Sequence, residues 1–232
     1  MSNAPQQTAA EETPPRGRRQ RGRLWWSARI WLAGAVAFAL LAVFASFYDR
    51  FPSDERIAHT LQDVDLPLFA GFVDFVNILG DQWAYVGLTL GAAIAFAVTR
   101  RGTEAVFVLS TVGLRFLNTV VKDWVERPRP SDDLVDVRDA ASGFSFPSGH
   151  TVGTAALFAV LFFLIPKAVP WRPLRWTLQA ACLLAVVSAG PARVYVGVHW
   201  PSDVFASYLL VLLLLAPVLA AYLALRRRGR PA

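Results

Sequence analysis

The sequence predicts an all-α fold, a polytopic membrane helix bundle with six transmembrane helices. Of its 232 residues 55% are hydrophobic and only 17% charged, and the mean hydropathy of +0.41 is well above that of a soluble domain. The apolar residues gather into long runs, with Lys and Arg between the runs rather than along one basic face. A net charge of +6 would suit a nucleic-acid binder, but cations placed in this way argue for a lipid bilayer and no nucleic acid. The single cysteine, Cys182, lies within an apolar run, which leaves no intramolecular disulfide and no cysteine-based zinc cluster.

Residues 1–23 are rich in Pro, Gln, Glu and Arg and nearly free of large apolar side chains. That composition cannot repay the entropy of folding, so a disordered basic tail is expected ahead of a membrane domain over 24–232. The run 24–47 is long enough, at about 1.5 Å per residue, to cross about 30 Å of hydrocarbon. It is longer than a signal-peptide core and no small-residue cleavage site follows, so it predicts an uncleaved anchor. Further spans are expected at 83–99, 105–121, 151–166, 176–191 and 204–225. The stretch 65–80 is apolar but carries Pro67, Asp74 and Asn77, which suits an interfacial or re-entrant segment.

Loops near span ends carry excess Lys and Arg on the cytoplasmic side. With the N-terminus inside, 15 of the 23 basic residues fall at cytoplasmic ends and 7 outside, and Arg115 alone falls within a span. Both termini are therefore expected in the cytoplasm. The outer cations then need a reason, and Lys122, Arg129 and Arg193 stand beside other polar groups at the outer ends of three different spans.

Three segments meet at that outer face. Lys122 to Pro130 ends the third span, with Pro128 and Pro130 stopping the helix. Phe146 to His150 opens the fourth, where Pro147 suits a first-turn position, and Arg193 to Asp203 opens the sixth. Two helix N-termini thus face one vestibule, each offering unpaired N–H groups and the positive end of its dipole. Ser148 offers a hydroxyl and Gly149 an unobstructed backbone N–H, while the two guanidiniums and the ammonium neutralise charge without a metal. Phosphate is the natural ligand. His199 and Asp203 are four residues apart, close enough for the carboxylate to take one imidazole N–H and leave the other nitrogen as a nucleophile.

The pattern resembles the type 2 phosphatidic acid phosphatase superfamily, whose signatures are K-x6-R-P, P-S-G-H and S-R-x5-H-x3-D. Lys122 to Pro130 matches the first, Pro147 to His150 the second, and Arg193, His199 and Asp203 the third, with Ala192 where the family has serine. The resemblance implies the six-span helical core shared with haloperoxidases, and a phosphatase of membrane lipids that needs no metal or other cofactor. It assigns His199 as nucleophile forming a phosphohistidine, Asp203 as its orienting partner and His150 as proton donor to the leaving oxygen. Lys122, Arg129, Arg193, Ser148 and Gly149 are the implied phosphate ligands. The expected substrate is a lipid mono- or diphosphate at the outer face of the cytoplasmic membrane, undecaprenyl diphosphate first, with phosphatidylglycerophosphate or phosphatidic acid as alternatives. A non-catalytic lipid-phosphate binder or transporter is the competing class, and the two histidines and Asp203 argue against it, because binding alone needs only the cations and helix ends.

Other polar residues have plainer readings. Arg127 lies outside the matched letters and is expected to pair with Glu126 or Asp123 or to touch headgroups. Arg115 and Asn118 share a helical face with Lys122, and Arg115 is expected to pair with Asp74 or Asp81. Trp residues near span ends, Trp124 and Trp200 among them, read as an interface belt. The acidic stretch 131–141, with Asp132, Asp133, Asp136 and Asp139, reads as a solvated face.

Overall fold

A computed structural model describes the backbone of residues 16–228 and the side chains of residues 28–227. Among the described residues there are eight helices and no strand: α1 (Arg16–Phe47), α2 (Asp54–Gln62), α3 (Pro67–Gly80), α4 (Gln82–Val98), α5 (Gly102–Val125), α6 (Gly149–Ala168), α7 (Arg172–Tyr195) and α8 (Pro201–Arg228). The expected tail falls largely on residues 1–15, outside those described, and α1 already begins at Arg16.

Helix α6 forms the centre, packed against α5, α7 and α8 and touching α3 and α4. Its sequence explains that place. Val152, Ala155, Ala156, Leu157, Val160 and Leu164 are all buried, and the small residues among them let neighbouring backbones approach closely where lipid offers no hydrophobic drive. The outer helices turn large apolar side chains such as Leu40, Phe116 and Leu212 outward, as a lipid-facing surface requires. Helix α1 lies at the edge, where Gly34 sits against Leu209 and Leu213 of α8 and the Trp31 indole donates to the Leu213 carbonyl at 2.9 Å.

Five helices are long and apolar enough to cross a membrane: Ala28–Phe47, Gly102–Val125, Gly149–Ala168, Arg172–Tyr195 and Pro201–Arg227. The span expected at 83–99 takes a particular form. Helix α4 alone is short, and a sixth crossing arises only if α3 and α4 count together, as a pair bent by 64° at Asp81. The break is chemically defined, because the Asp81 carboxylate caps α4 by accepting from the amides of Trp83 and Ala84 at 2.9 and 3.3 Å. The stretch read as interfacial or re-entrant is thus a helix leaning into the next one.

Helices α5 to α8 run up and down, so the end of α5, the start of α6, the end of α7 and the start of α8 share one end of the bundle. The α5–α6 connection covers that end. Glu126 caps α5 in the left-handed region (φ 54°), its amide donating to the Lys122 carbonyl at 3.0 Å, before Pro128 can disturb the helix. The chain between α7 and α8 passes so close beneath this connection that a Cβ on Gly197 (φ +74°) would lie 2.3 Å from the Asp136 carbonyl oxygen. Gln62 of α2 ties the same two segments together, its amide donating to the carbonyls of Asp136 (2.6 Å) and Tyr195 (3.1 Å).

Candidate active site

The three matched segments meet at this end. Pro201 opens α8 as expected. Pro147 does not occupy the first turn of α6. It precedes the cap, joined to Phe146 by a cis peptide bond, and Ser148 is the cap residue. The Ser148 hydroxyl accepts from the Thr151 amide (3.4 Å) and hydroxyl (3.0 Å), which leaves its own O–H free to donate. The starts of α6 and α8 are locked together, the Ser148 amide donating to the Ser207 hydroxyl at 2.8 Å and that hydroxyl donating to the Asp203 carbonyl at 2.7 Å.

At the centre stands His199, 2% exposed. Its Nδ1 faces the Asp203 carboxylate at 3.5 Å and its Nε2 faces Nη1 of Arg129 at 3.2 Å. A guanidinium can only donate, so Nε2 accepts and the ring proton sits on Nδ1, toward Asp203. Burial is the main reason the imidazole is pushed down to about 3, against the opposing pull of the Asp203 carboxylate. The ring is therefore neutral at pH 7 with its free lone pair on Nε2, beneath Arg129.

Asp203 is fully buried and fully bonded. One oxygen accepts from Arg127 at 2.5 Å, and the other accepts from the Trp200 amide at 2.9 Å and from the Ser145 hydroxyl. Ser145 also lies 3.4 Å from Nδ1 of His199. Arg127, read from the sequence as a partner of Glu126 or Asp123 or a headgroup contact, is instead buried beside the site. It bridges Asp203 to Asp54 of α2 (2.9 Å), stacks on Phe51 and meets the Ser202 hydroxyl at 2.8 Å. Asp54 is in turn held by the amides of Phe51 and Ser202 and by the Ser202 hydroxyl. Sequence reasoning missed Asp54, which is far from the motifs in sequence, and Ser145 and Ser202, which lie beside or inside the motifs but outside their matched letters.

The expected phosphate ligands surround this core. Arg129 is set by the carbonyls of Ser142, Gly143 and Val198, and the Lys122 ammonium by the Phe144 carbonyl at 2.7 Å. Arg193 reaches the site from the end of α7. Its Nη1 donates to Asn77 of α3 and to Asp139, both at 3.0 Å, while its buried Nε has no partner. Asp139 thus adds an ion pair to a stretch that stays solvated, its own side chain being 43% exposed. Gly149 begins α6 beside Asn118, where first-turn amides have no acceptor in their own helix. His150 packs against the end of α3 so tightly that a Cβ on Gly80 would lie 2.8 Å from its ring, and its ring is within electrostatic reach of His199 and Arg193.

Two further expectations change. Trp200 is 1% exposed and packs with Val194 and Val204, so it is core rather than belt. Arg115 pairs with neither Asp74 nor Asp81 and lies over the Tyr85 ring at 4.6 Å. Ala192, in place of the family serine, is buried in a cluster with Val73, Val76 and Val196. Among the described residues no group of three or more His, Cys, Asp or Glu side chains could hold a metal ion.

A family model described as the PAP2 superfamily matches residues 103–227. Phosphatidylglycerophosphatase B of Bacillus subtilis is 35% identical over 128 residues, 54% of this chain and 60% of that protein. An undecaprenyl-diphosphatase of Sulfolobus acidocaldarius is 31% identical over 125 residues, 54% of this chain and 50% of that one. The matched regions thus span only about half to three fifths of these relatives. The crystal structure of the first transmembrane PAP2-type phosphatidylglycerolphosphate phosphatase from Bacillus subtilis superposes with a TM-score of 0.70 at 25% identity, covering 82% of this chain and 94% of that one.

Proposed function

Because the chain belongs to the PAP2 superfamily, we propose that it is a multi-pass membrane phosphatase that hydrolyses a lipid phosphate through a phosphohistidine on His199. The observation that carries this is the state of His199, neutral, with its proton on the Asp203 side and its lone pair beneath Arg129. In the first step Nε2 forms a bond to phosphorus while the phosphorus–oxygen bond to the lipid breaks, and His150 gives a proton to the departing oxygen. Asp203 steadies the positive charge that builds on the ring. Lys122, Arg129, Arg193, the Ser148 hydroxyl and the Gly149 amide bind the phosphoryl oxygens and stabilise their charge, which makes a metal unnecessary. In the second step water attacks phosphorus, passes a proton to His150 and frees His199 and inorganic phosphate.

We place the site at the outer face of the cytoplasmic membrane with both termini inside, on the strength of the Lys and Arg distribution. Undecaprenyl diphosphate is the first substrate, since an outward site suits an outer-leaflet carrier. Phosphatidylglycerophosphate is the second reading, favoured by the names of the Bacillus subtilis relative and of the matching structure. The test is phosphate release by detergent-solubilised protein in EDTA from a panel of isoprenyl diphosphates and glycerolipid phosphates. Retained turnover and its abolition in His199→Ala are expected. Full dependence on added Mg²⁺, or near wild-type activity in His199→Ala, refutes the mechanism.

A further inference from the structure

Below the cradle, on the inward face of α5, two polar side chains have no assigned task. Asn118 and Arg115 stand one and two helical turns below Lys122, and α6 makes room for them with glycines four residues apart. A Cβ on Gly149 would lie 3.5 Å from Nδ2 of Asn118, and one on Gly153 would lie 3.1 Å from Nη1 of Arg115. Asn118 is 1% exposed and its Oδ1 has no hydrogen-bond partner, and neither has the buried Nη1 of Arg115.

Among the described residues no carboxylate lies within ion-pair distance of Arg115; Asp81 acts on it only from farther off, so this charge deep within its helix has no direct counter-ion. Its guanidinium is nevertheless fixed, lying over the ring of Tyr85, whose hydroxyl is anchored on Thr111 at 3.0 Å. A cation held in place, half-buried and unpaired, is matched to an anion that arrives with the substrate.

The position indicates which anion. A lipid keeps its chain in the bilayer, so atoms on the leaving side of the reacting phosphorus lie deeper than the cradle. Gly153 and Thr154 follow His150 by three and four residues on the same face of α6, which puts Arg115 just beyond the proton donor in that direction. A lipid monophosphate leaves as a neutral alcohol and gives Arg115 nothing to pair with. A lipid diphosphate leaves as a lipid monophosphate, whose charge the guanidinium neutralises, while the Asn118 amide offers both a donor and an acceptor to its partly protonated oxygens.

We propose that Arg115 and Asn118 form a second oxyanion subsite that holds the lipid-proximal phosphoryl group of a lipid diphosphate while the terminal phosphoryl group is transferred to His199. This rests on the phosphatase reading above and narrows it to diphosphates. In the step itself the bond from terminal phosphorus to the bridging oxygen breaks, the electron pair stays on that oxygen, and His150 protonates it. Arg115 stabilises the departing charge and forms no bond.

The test compares kcat/KM on farnesyl diphosphate and farnesyl monophosphate, which share one lipid chain, in detergent with EDTA. The ratio of diphosphate to monophosphate activity is expected to fall at least about tenfold in Arg115→Met and to return to within about threefold of wild type in Arg115→Lys. Gly153→Ala keeps the guanidinium but presses on it, and lowers the same ratio by about threefold or more, which preserves the test if Arg115→Met does not fold. A ratio that stays within about twofold of wild type in every folded variant overturns the subsite alone, as does a wild-type protein that hydrolyses only the monophosphate. A wild type that hydrolyses neither lipid overturns the phosphatase reading itself.

Discussion

Replacing Arg127 with Met tests whether the site is held from behind by an ion triad. The guanidinium is 0% exposed and lies between carboxylates that are 1% and 0% exposed, Asp54 and Asp203. Met fills a similar volume along the Phe51 ring but leaves two buried carboxylates without a counter-charge. Breaking a buried pair by removing one partner costs about 3–5 kcal/mol. At about 2–4 °C per kcal/mol for a chain of this size, the expected fall in Tm is about 6–20 °C. Cys182 supplies the assay, since it is the single cysteine and is buried, so a thiol-reactive dye reports unfolding in detergent. Well below the new Tm, kcat should fall by about tenfold or more, because Asp203 loses the partner that fixes its orientation toward His199. Arg129→Met is the contrasting variant. Arg129 bonds three carbonyls and His199 but no carboxylate, so its loss should lower kcat/KM with a much smaller change in Tm. An Arg127→Met protein whose Tm stays within about 2 °C of wild type refutes the triad as the site's support.

Three other outcomes are expected. Gly80→Ala places a methyl group 2.8 Å from the His150 ring and 2.9 Å from the Thr154 hydroxyl; overpacking of about 1–3 kcal/mol should appear as a loss in kcat larger than any change in KM, measured by steady-state phosphate release. The His199 imidazole is pushed down to about 3 in the folded chain from about 6.5 in the unfolded one, so between those values the unfolded chain binds more protons and stability falls as pH falls; a Tm series from about pH 6.5 to about 4.5, inside that window, should slope less steeply in His199→Phe than in wild type. At the far end of the bundle, Glu104→Gln breaks the ion pair of a buried carboxylate with the half-exposed Arg226 and weakens the contact with Tyr222, and should lower Tm while leaving kcat/KM unchanged.

The helices and the main residues of the candidate site were legible in the sequence because both rest on local signals. Apolar runs mark spans, and Lys122, Arg129, His150, Arg193, His199 and Asp203 announce themselves by fixed spacing. Contacts made across the fold left no such mark. Arg127 sits 73 residues from Asp54 and 76 from Asp203, so nothing in its own neighbourhood reveals burial. Asn77 was visible only as an oddity in an apolar stretch, and its role in holding Arg193 depends on the bend at Asp81 that leans α3 against α7. Periodicity placed Arg115 on the face of Lys122, yet a helical face does not name its neighbour, and the neighbour proved to be the Tyr85 ring. Asp139 shared its segment with exposed carboxylates, and composition could not single it out.

The two ends of the bundle treat buried polar groups differently, and the difference follows from their tasks. At the end away from the site, Glu104 is paired with Arg226 and Tyr222, Lys167 reaches the Tyr222 hydroxyl, and Arg101 donates to the Lys167 carbonyl at 2.5 Å. Each of these groups is satisfied within the protein. At the site end the carboxylates are satisfied just as fully, but donors on the cationic side chains are not: Nε of Arg193 and Nη1 of Arg115 are buried without partners. A buried polar group left unpaired costs about 1–3 kcal/mol, more when charged, so a bundle selected for stability alone would have closed these gaps with a nearby Asn or Asp. Asn77 and Asp139 do so for one nitrogen of Arg193 and stop there. The anionic partners are spent on fixing His199 and the arginines in position, and in the proposed mechanism the remaining donors are left to the phosphoryl oxygens, where their stabilisation is felt as charge moves in the transition state.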